Sequence, residues 1–117
     1  MSDTRETLDL ARDLLTRADP STAGLWPRAA ALLIRQALEE AVDSYWRERQ
    51  LPLDSLPTHS QLVCLRMMTP EGNLPARLHE AWGALSRACH HHPYELAPTA
   101  GELSAWIDIV GEFGAKK

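Results

Sequence analysis

Residues 86–98 read Ser-Arg-Ala-Cys-His-His-His-Pro-Tyr-Glu-Leu-Ala-Pro, and they hold three of the chain's five histidines beside an arginine. Three chemistries are open to this stretch. The first is metal binding. A structural zinc ion takes four Cys or His ligands brought around one point. His90, His91 and His92 are consecutive, so on a helix their side chains splay about 100° apart and do not converge. His79 precedes His90 by about three helical turns, too far to share an ion. Nothing in the sequence places His59. The residues therefore predict no metal, and no cofactor is implied. The second reading is structural. Histidines near a helix C-terminus complement its dipole and bond its last carbonyls. His92 also continues the apolar spacing of Leu78 and Leu85, which suits a buried, hydrogen-bonded side chain. The third reading is acid–base chemistry. Arg87 never loses its charge, whereas a histidine exchanges protons near neutrality. Together they suit a phosphodiester: the arginine binds a phosphate oxygen and its developing charge, and the histidine serves as general base or acid.

Which histidine pairs with Arg87 depends on the helix that carries them. His91 is four residues from Arg87, on the same face of an unbroken helix. His92 is five residues away, a turn of roughly 140° that would carry it off that face. Pro93 disfavours helical geometry at His92, so this residue can swing away from the axis. Both pairings stay open on sequence grounds.

The rest of the chain must position this stretch. A length of 117 residues fits a single domain spanning 1–117. The formal charge is −4, with acidic and basic residues interspersed. No like-charged block reads as a nucleic-acid tail, so an RNA partner would need a local basic patch. The N-terminal residues carry acids where a signal peptide would be apolar. No apolar run approaches the ~20 residues of a membrane span, and the expected location is cytoplasmic. Cys64 and Cys89 have no close pairing motif and read as reduced, buried thiols.

Helical periodicity runs throughout, and no segment alternates at period two. Asp3 and Glu6 resemble a capping box before Leu8, Ala11, Leu15 and Ala18, with ADPST closing that helix. A long second helix runs from about Leu25 to Arg49, with Pro27 in its first turn and Ala30, Leu33, Ile34, Ala37, Leu38, Ala41 and Tyr45 as its stripe. Thr58 and Gln61 offer a capping box for a short third helix that stops near TPEG. Leu74, Leu78, Ala81, Trp82, Leu85 and Cys89 define a fourth, which Pro93 should end. Thr99 and Glu102 cap a fifth, striped by Leu103, Trp106, Ile107, Val110 and Phe113. The expected fold is an all-α, single-domain, up-and-down bundle of about five helices. Two of the four tryptophans, Trp26 and Trp46, fall in the second helix and one each in the fourth and fifth, and they read as core or interface anchors.

An Arg-x-x-x-x-His spacing at Arg87–His92, late in an all-helical chain of this length, resembles the HEPN superfamily (higher eukaryotes and prokaryotes nucleotide-binding domain). The likeness covers most of the chain as architecture and Arg87 to His92 as motif. It implies a HEPN-like helical bundle that acts as a metal-independent endoribonuclease or RNA-binding component of a toxin–antitoxin or phage-defence system. It also implies a homodimer, with the two motifs meeting in one composite site. A cognate antitoxin or nucleotidyltransferase is the implied protein partner. Arg87 would clamp phosphate and His92 would move the proton, with His91 as its rival. Tyr94 and His90 would assist in holding substrate, Tyr94 alternatively anchoring the turn into the last helix. Family nucleases often carry Asn, Asp or His directly after the arginine, and Ala88 stands there in this chain. That feature favours the rival class, a non-catalytic dimeric helical module that binds a protein or nucleotide.

Overall fold

The 23 residues from Trp26 to Glu48 contain no glycine, and their one proline sits in the first turn, where it costs no helical hydrogen bond. They form the longest helix among the described residues. The computed structural model describes residues 3–16, 26–69, 72–90 and 96–115, the Asp3 side chain excepted. In chain order the helices are α1 (Asp3–Thr16), α2 (Trp26–Glu48), α3 (Thr58–Met68), α4 (Leu74–Cys89) and α5 (Ala100–Ala115), with a 3-10 turn at Pro52–Ser55 between α2 and α3. The described residues contain no strand, and the protein is a single-domain all-α bundle. No helix among them is long and apolar enough to cross a membrane.

α2 occupies the middle. It packs against α1, α3, α4, α5 and the 3-10 turn. Its buried surface is therefore wider than the single stripe expected. Ala31, Val42 and Trp46 join Ala30, Ile34, Ala37, Leu38 and Ala41 in the core, while Leu33 and Tyr45 are half-buried at its margin. Leu8 and Ala11 of α1, Leu62 and Leu65 of α3, Leu78 and Leu85 of α4, and Leu103, Ile107 and Val110 of α5 complete that core. Tyr45 meets the edge of Trp46 at 5.0 Å and Phe113 of α5 at 5.5 Å between ring centroids. Of the four tryptophans, Trp46 alone is wholly buried; Trp26, Trp82 and Trp106 pack half-buried against the core.

α2 ends with Gln50 at φ 59°, the Gln50 amide donating to the Arg47 carbonyl and the Leu51 amide to that of Trp46. This is a Schellman closure built on a residue other than glycine. The Thr99–Glu102 capping box forms as expected. The Thr99 amide donates to Glu102 Oε1 at 2.9 Å, and the Glu102 amide donates to Thr99 Oγ1 at 3.1 Å. The Thr58–Gln61 box does not form. α3 begins one residue earlier, after Pro57, and Gln61 turns inward and donates to the Leu56 carbonyl at 2.8 Å. Burial of Gln61 decides this, because a buried amide must find a protein partner. The Asp3–Glu6 box rests on a side chain outside the described set, as does Ala18. Cys64 and Cys89 are free thiols but only half-buried.

Leu38 is completely buried on the shared face of α2. Leu38→Ala should lower unfolding stability by about 2–5 kcal/mol, and Thr99→Ala by about 1 kcal/mol, read from urea titrations. A Leu38→Ala loss smaller than that of Thr99→Ala would contradict the central role given to α2.

Candidate functional site

α4 ends sooner than Pro93 would require. It stops at Cys89, and His90 is extended, with φ −89° and ψ 139°. The carbonyls at this end of α4 are met by an arginine that sequence reasoning left unassigned. Arg28, in the first turn of α2, donates through one Nη to the carbonyls of Ala88 (3.3 Å) and His90 (3.0 Å). A helix C-terminus leaves its last carbonyls unpaired and partially negative, so a guanidinium there satisfies both needs. The end of α4 is thereby held to α2, and the chain leaves the helix axis at His90. The condition for pairing Arg87 with His91, a helix unbroken through His91, is not met. His91, His92 and Tyr94 lie outside the described residues. His90 is exposed, and its backbone is fixed by Arg28.

Arg87 is exposed on α4 and opens onto a groove of about 470 Å³ between α3 and α4. His59 and Arg66 line it from α3; His79, Glu80, Trp82, Gly83 and Arg87 line it from α4. The geometry follows from helical spacing. His59 and Arg66 are seven residues apart, two turns, and so share a face of α3. His79, Gly83 and Arg87 follow one another at intervals of four on α4. Gly83 lies between His79 and Arg87 on this face, and a Cβ there would make an ordinary contact with Arg87 Nη1 at 3.6 Å.

Within the groove the side chains form a directed chain of hydrogen bonds. Arg66 Nη1 lies 3.3 Å from His79 Nδ1, and His79 Nε2 lies 3.2 Å from His59 Nδ1. A guanidinium only donates, so His79 Nδ1 is the acceptor. Neutral His79 then carries its proton on Nε2 and donates it to His59 Nδ1. Neutral His59 in turn carries its proton on Nε2. One arginine thus sets the tautomers of two imidazoles. Their rings lie 5.0 Å apart, and the Trp82 ring lies 6.1 Å from His59. Trp82 is held from behind: its indole N–H donates to Glu39 Oε2 of α2 at 3.1 Å, and Arg35 pairs with the same oxygen at 3.4 Å. The core helix therefore positions one wall of the groove.

Burial pushes the His79 pKa below its ordinary 6.5, and the nearby His59 and Arg66 push it the same way. Each of these disfavours a second positive charge. Among the described residues neither Arg66 nor Arg87 has a carboxylate partner, whereas Arg12, Arg35, Arg47 and Arg77 each pair with one. No three His, Cys, Asp or Glu side chains among them are gathered as a metal site. The arrangement suits an oxyanion: two guanidiniums, two imidazoles and an indole wall.

The sequence reading placed Arg87 among the functional residues but missed His59, Arg66, His79 and Arg28. The matched spacings on α3 and α4 were a usable signal for the first three. Only packing puts those two faces together, and only packing shows what Arg28 reaches. Comparison with protein-family models, with curated proteins and with solved structures finds no match to this chain.

The lowered His79 pKa has a defined consequence for stability. The unfolded chain binds the His79 proton more readily than the folded one, so stability rises with pH in that window. His79 contributes no pH dependence well above 6.5. As pH falls through 6.5 toward its own lower value, the folded state loses stability, and the loss levels off below that value. Urea unfolding between about pH 7.5 and about pH 5 should show this loss, diminished in His79→Gln. An unchanged pH dependence in the variant would contradict the lowered His79 pKa.

Proposed function

We propose that the protein is a metal-independent ribonuclease of HEPN type, binding the RNA backbone along the α3–α4 groove. What supports this most is the local sign of charge. The chain as a whole is −4, yet Arg66 and Arg87 face one groove without carboxylate partners among the described residues, against Glu80 alone. This is the local basic patch that an acidic protein needs in order to hold a polyanion.

Arg87 and Arg66 bind non-bridging phosphate oxygens. Arg87 also stabilises the charge that builds there when a 2'-hydroxyl attacks the adjacent phosphorus. A histidine takes the hydroxyl proton, and a protonated histidine returns one to the departing 5'-oxygen. His92, with His91 as its rival, carries this acid–base role in the Arg-x-x-x-x-His reading. His90 and Tyr94 assist at the phosphate. α4 ends at Cys89, ahead of the motif histidine, and the turn at His90 is held by Arg28. In the same reading two copies pair about a two-fold axis, so that both motifs face one substrate.

Arg87→Ala should reduce cleavage of single-stranded RNA by about 100-fold or more, with the helical circular dichroism unchanged. Cleavage by wild type should persist in EDTA, and sedimentation equilibrium should give a dimer. Wild-type protein that cuts no RNA would remove the catalytic reading, and a monomer at micromolar concentration would remove the composite site.

A further inference from the structure

The hydrogen-bond chain in the groove has no vacancy for an added proton. His79 Nδ1 already accepts from Arg66, and His59 Nδ1 already accepts from His79. Protonating His59 at Nδ1 would set two N–H groups against each other across 3.2 Å. Protonating His79 at Nδ1 would set an imidazolium against the Arg66 guanidinium across 3.3 Å. A proton can therefore enter only as one of these contacts opens.

An oxyanion supplies the means of opening it. We propose that Arg66, His79 and His59 form a proton-coupled binding site for the oxyanion of a phosphate group, in which Arg66 turns from His79 Nδ1 to the anion and the imidazole pair takes up one proton. The freed Nδ1 becomes N–H and donates toward the ligand or solvent. The cost of placing positive charge on the pair is offset by the negative charge arriving beside it.

The surroundings favour this coupling. From α3, His59 and Arg66 face His79, and both oppose its protonation. From α4, Glu80 and Arg87 line the same space with opposite charges. From α2, Glu39 stands behind Trp82 and is already engaged by the indole and by Arg35. α5 contributes no lining residue to this groove. The anion is thus the main new charge that the imidazole pair can answer. The groove is open and about 470 Å³, ample for a phosphate group on a larger molecule. The inference rests on the ribonuclease reading only for the identity of the molecule that bears the phosphate.

Sulfate is a suitable probe, because it keeps its double charge across the relevant pH range while inorganic phosphate does not. Sulfate affinity, measured by titration of backbone and imidazole NMR signals, should strengthen as pH falls from about 8 to about 6, with a slope approaching tenfold per unit. The His79 imidazole should titrate at higher pH with sulfate than without it. Arg66→Gln should weaken binding throughout the range, and His79→Gln should flatten the slope. Absence of sulfate binding, pH-independent binding, or a slope retained in His79→Gln would each overturn the proposal. The two readings fail separately. Arg87-dependent RNA cleavage with pH-independent sulfate binding would sink this inference alone. pH-linked sulfate binding without RNA cleavage would sink the ribonuclease reading alone.

Discussion

Ala30, Ala31, Ala37 and Ala41 of α2 are completely or almost completely buried, and they present small side chains to the helices packed around α2. Leu38, Ile34 and Trp46 fill the space that remains between them. Close-packed interiors tolerate little change in volume, so this alternation of small and large residues fixes where the other helices lie. The groove depends on it. α4 is set against α2 by Leu78, Ala81 and Leu85 on its apolar face, and that leaves His79, Gly83 and Arg87 turned toward α3.

Polar contacts from α2 refine what the apolar packing sets. Arg28 satisfies carbonyls at the end of α4, and Glu39 fixes the indole of Trp82. Both act at half-buried positions, where a hydrogen bond to a charged group gains strength from reduced solvent competition. Arg35 supplies the countercharge that makes a half-buried Glu39 tolerable. These residues touch no groove opening themselves. They meet the carbonyls at the end of α4 and brace the Trp82 wall of the groove.

The electrostatics of the molecule are organised by pairing. Asp9, Glu39, Glu40 and Glu112 each neutralise an arginine on the same or a neighbouring helix. Exposed pairs of this kind contribute little to stability, but they remove those arginines from the pool available to an anion. Arg66 and Arg87 are outside that pairing among the described residues. His79 and His59, joined by a hydrogen bond beside Arg66, add two imidazoles to the same groove.

Helical periodicity in the sequence was enough to define five helices and an all-α bundle, because apolar residues recurring at three and four have one economical use in water. The Thr99–Glu102 cap was legible for the same reason: its chemistry is local and completed within four residues. Arg87 could be singled out because an arginine beside histidines is itself a chemical statement. The sequence could not show that Gln61 would turn into the core, that α4 would stop at Cys89, or that His59 and His79 would share a hydrogen bond. Each depends on partners five to sixty-two residues away: Leu56 for Gln61, Arg28 for His90, His79 for His59. Spacing along one helix tells which residues share a face. Which face meets which is settled only when α2 buries its alanines and brings α3 and α4 side by side.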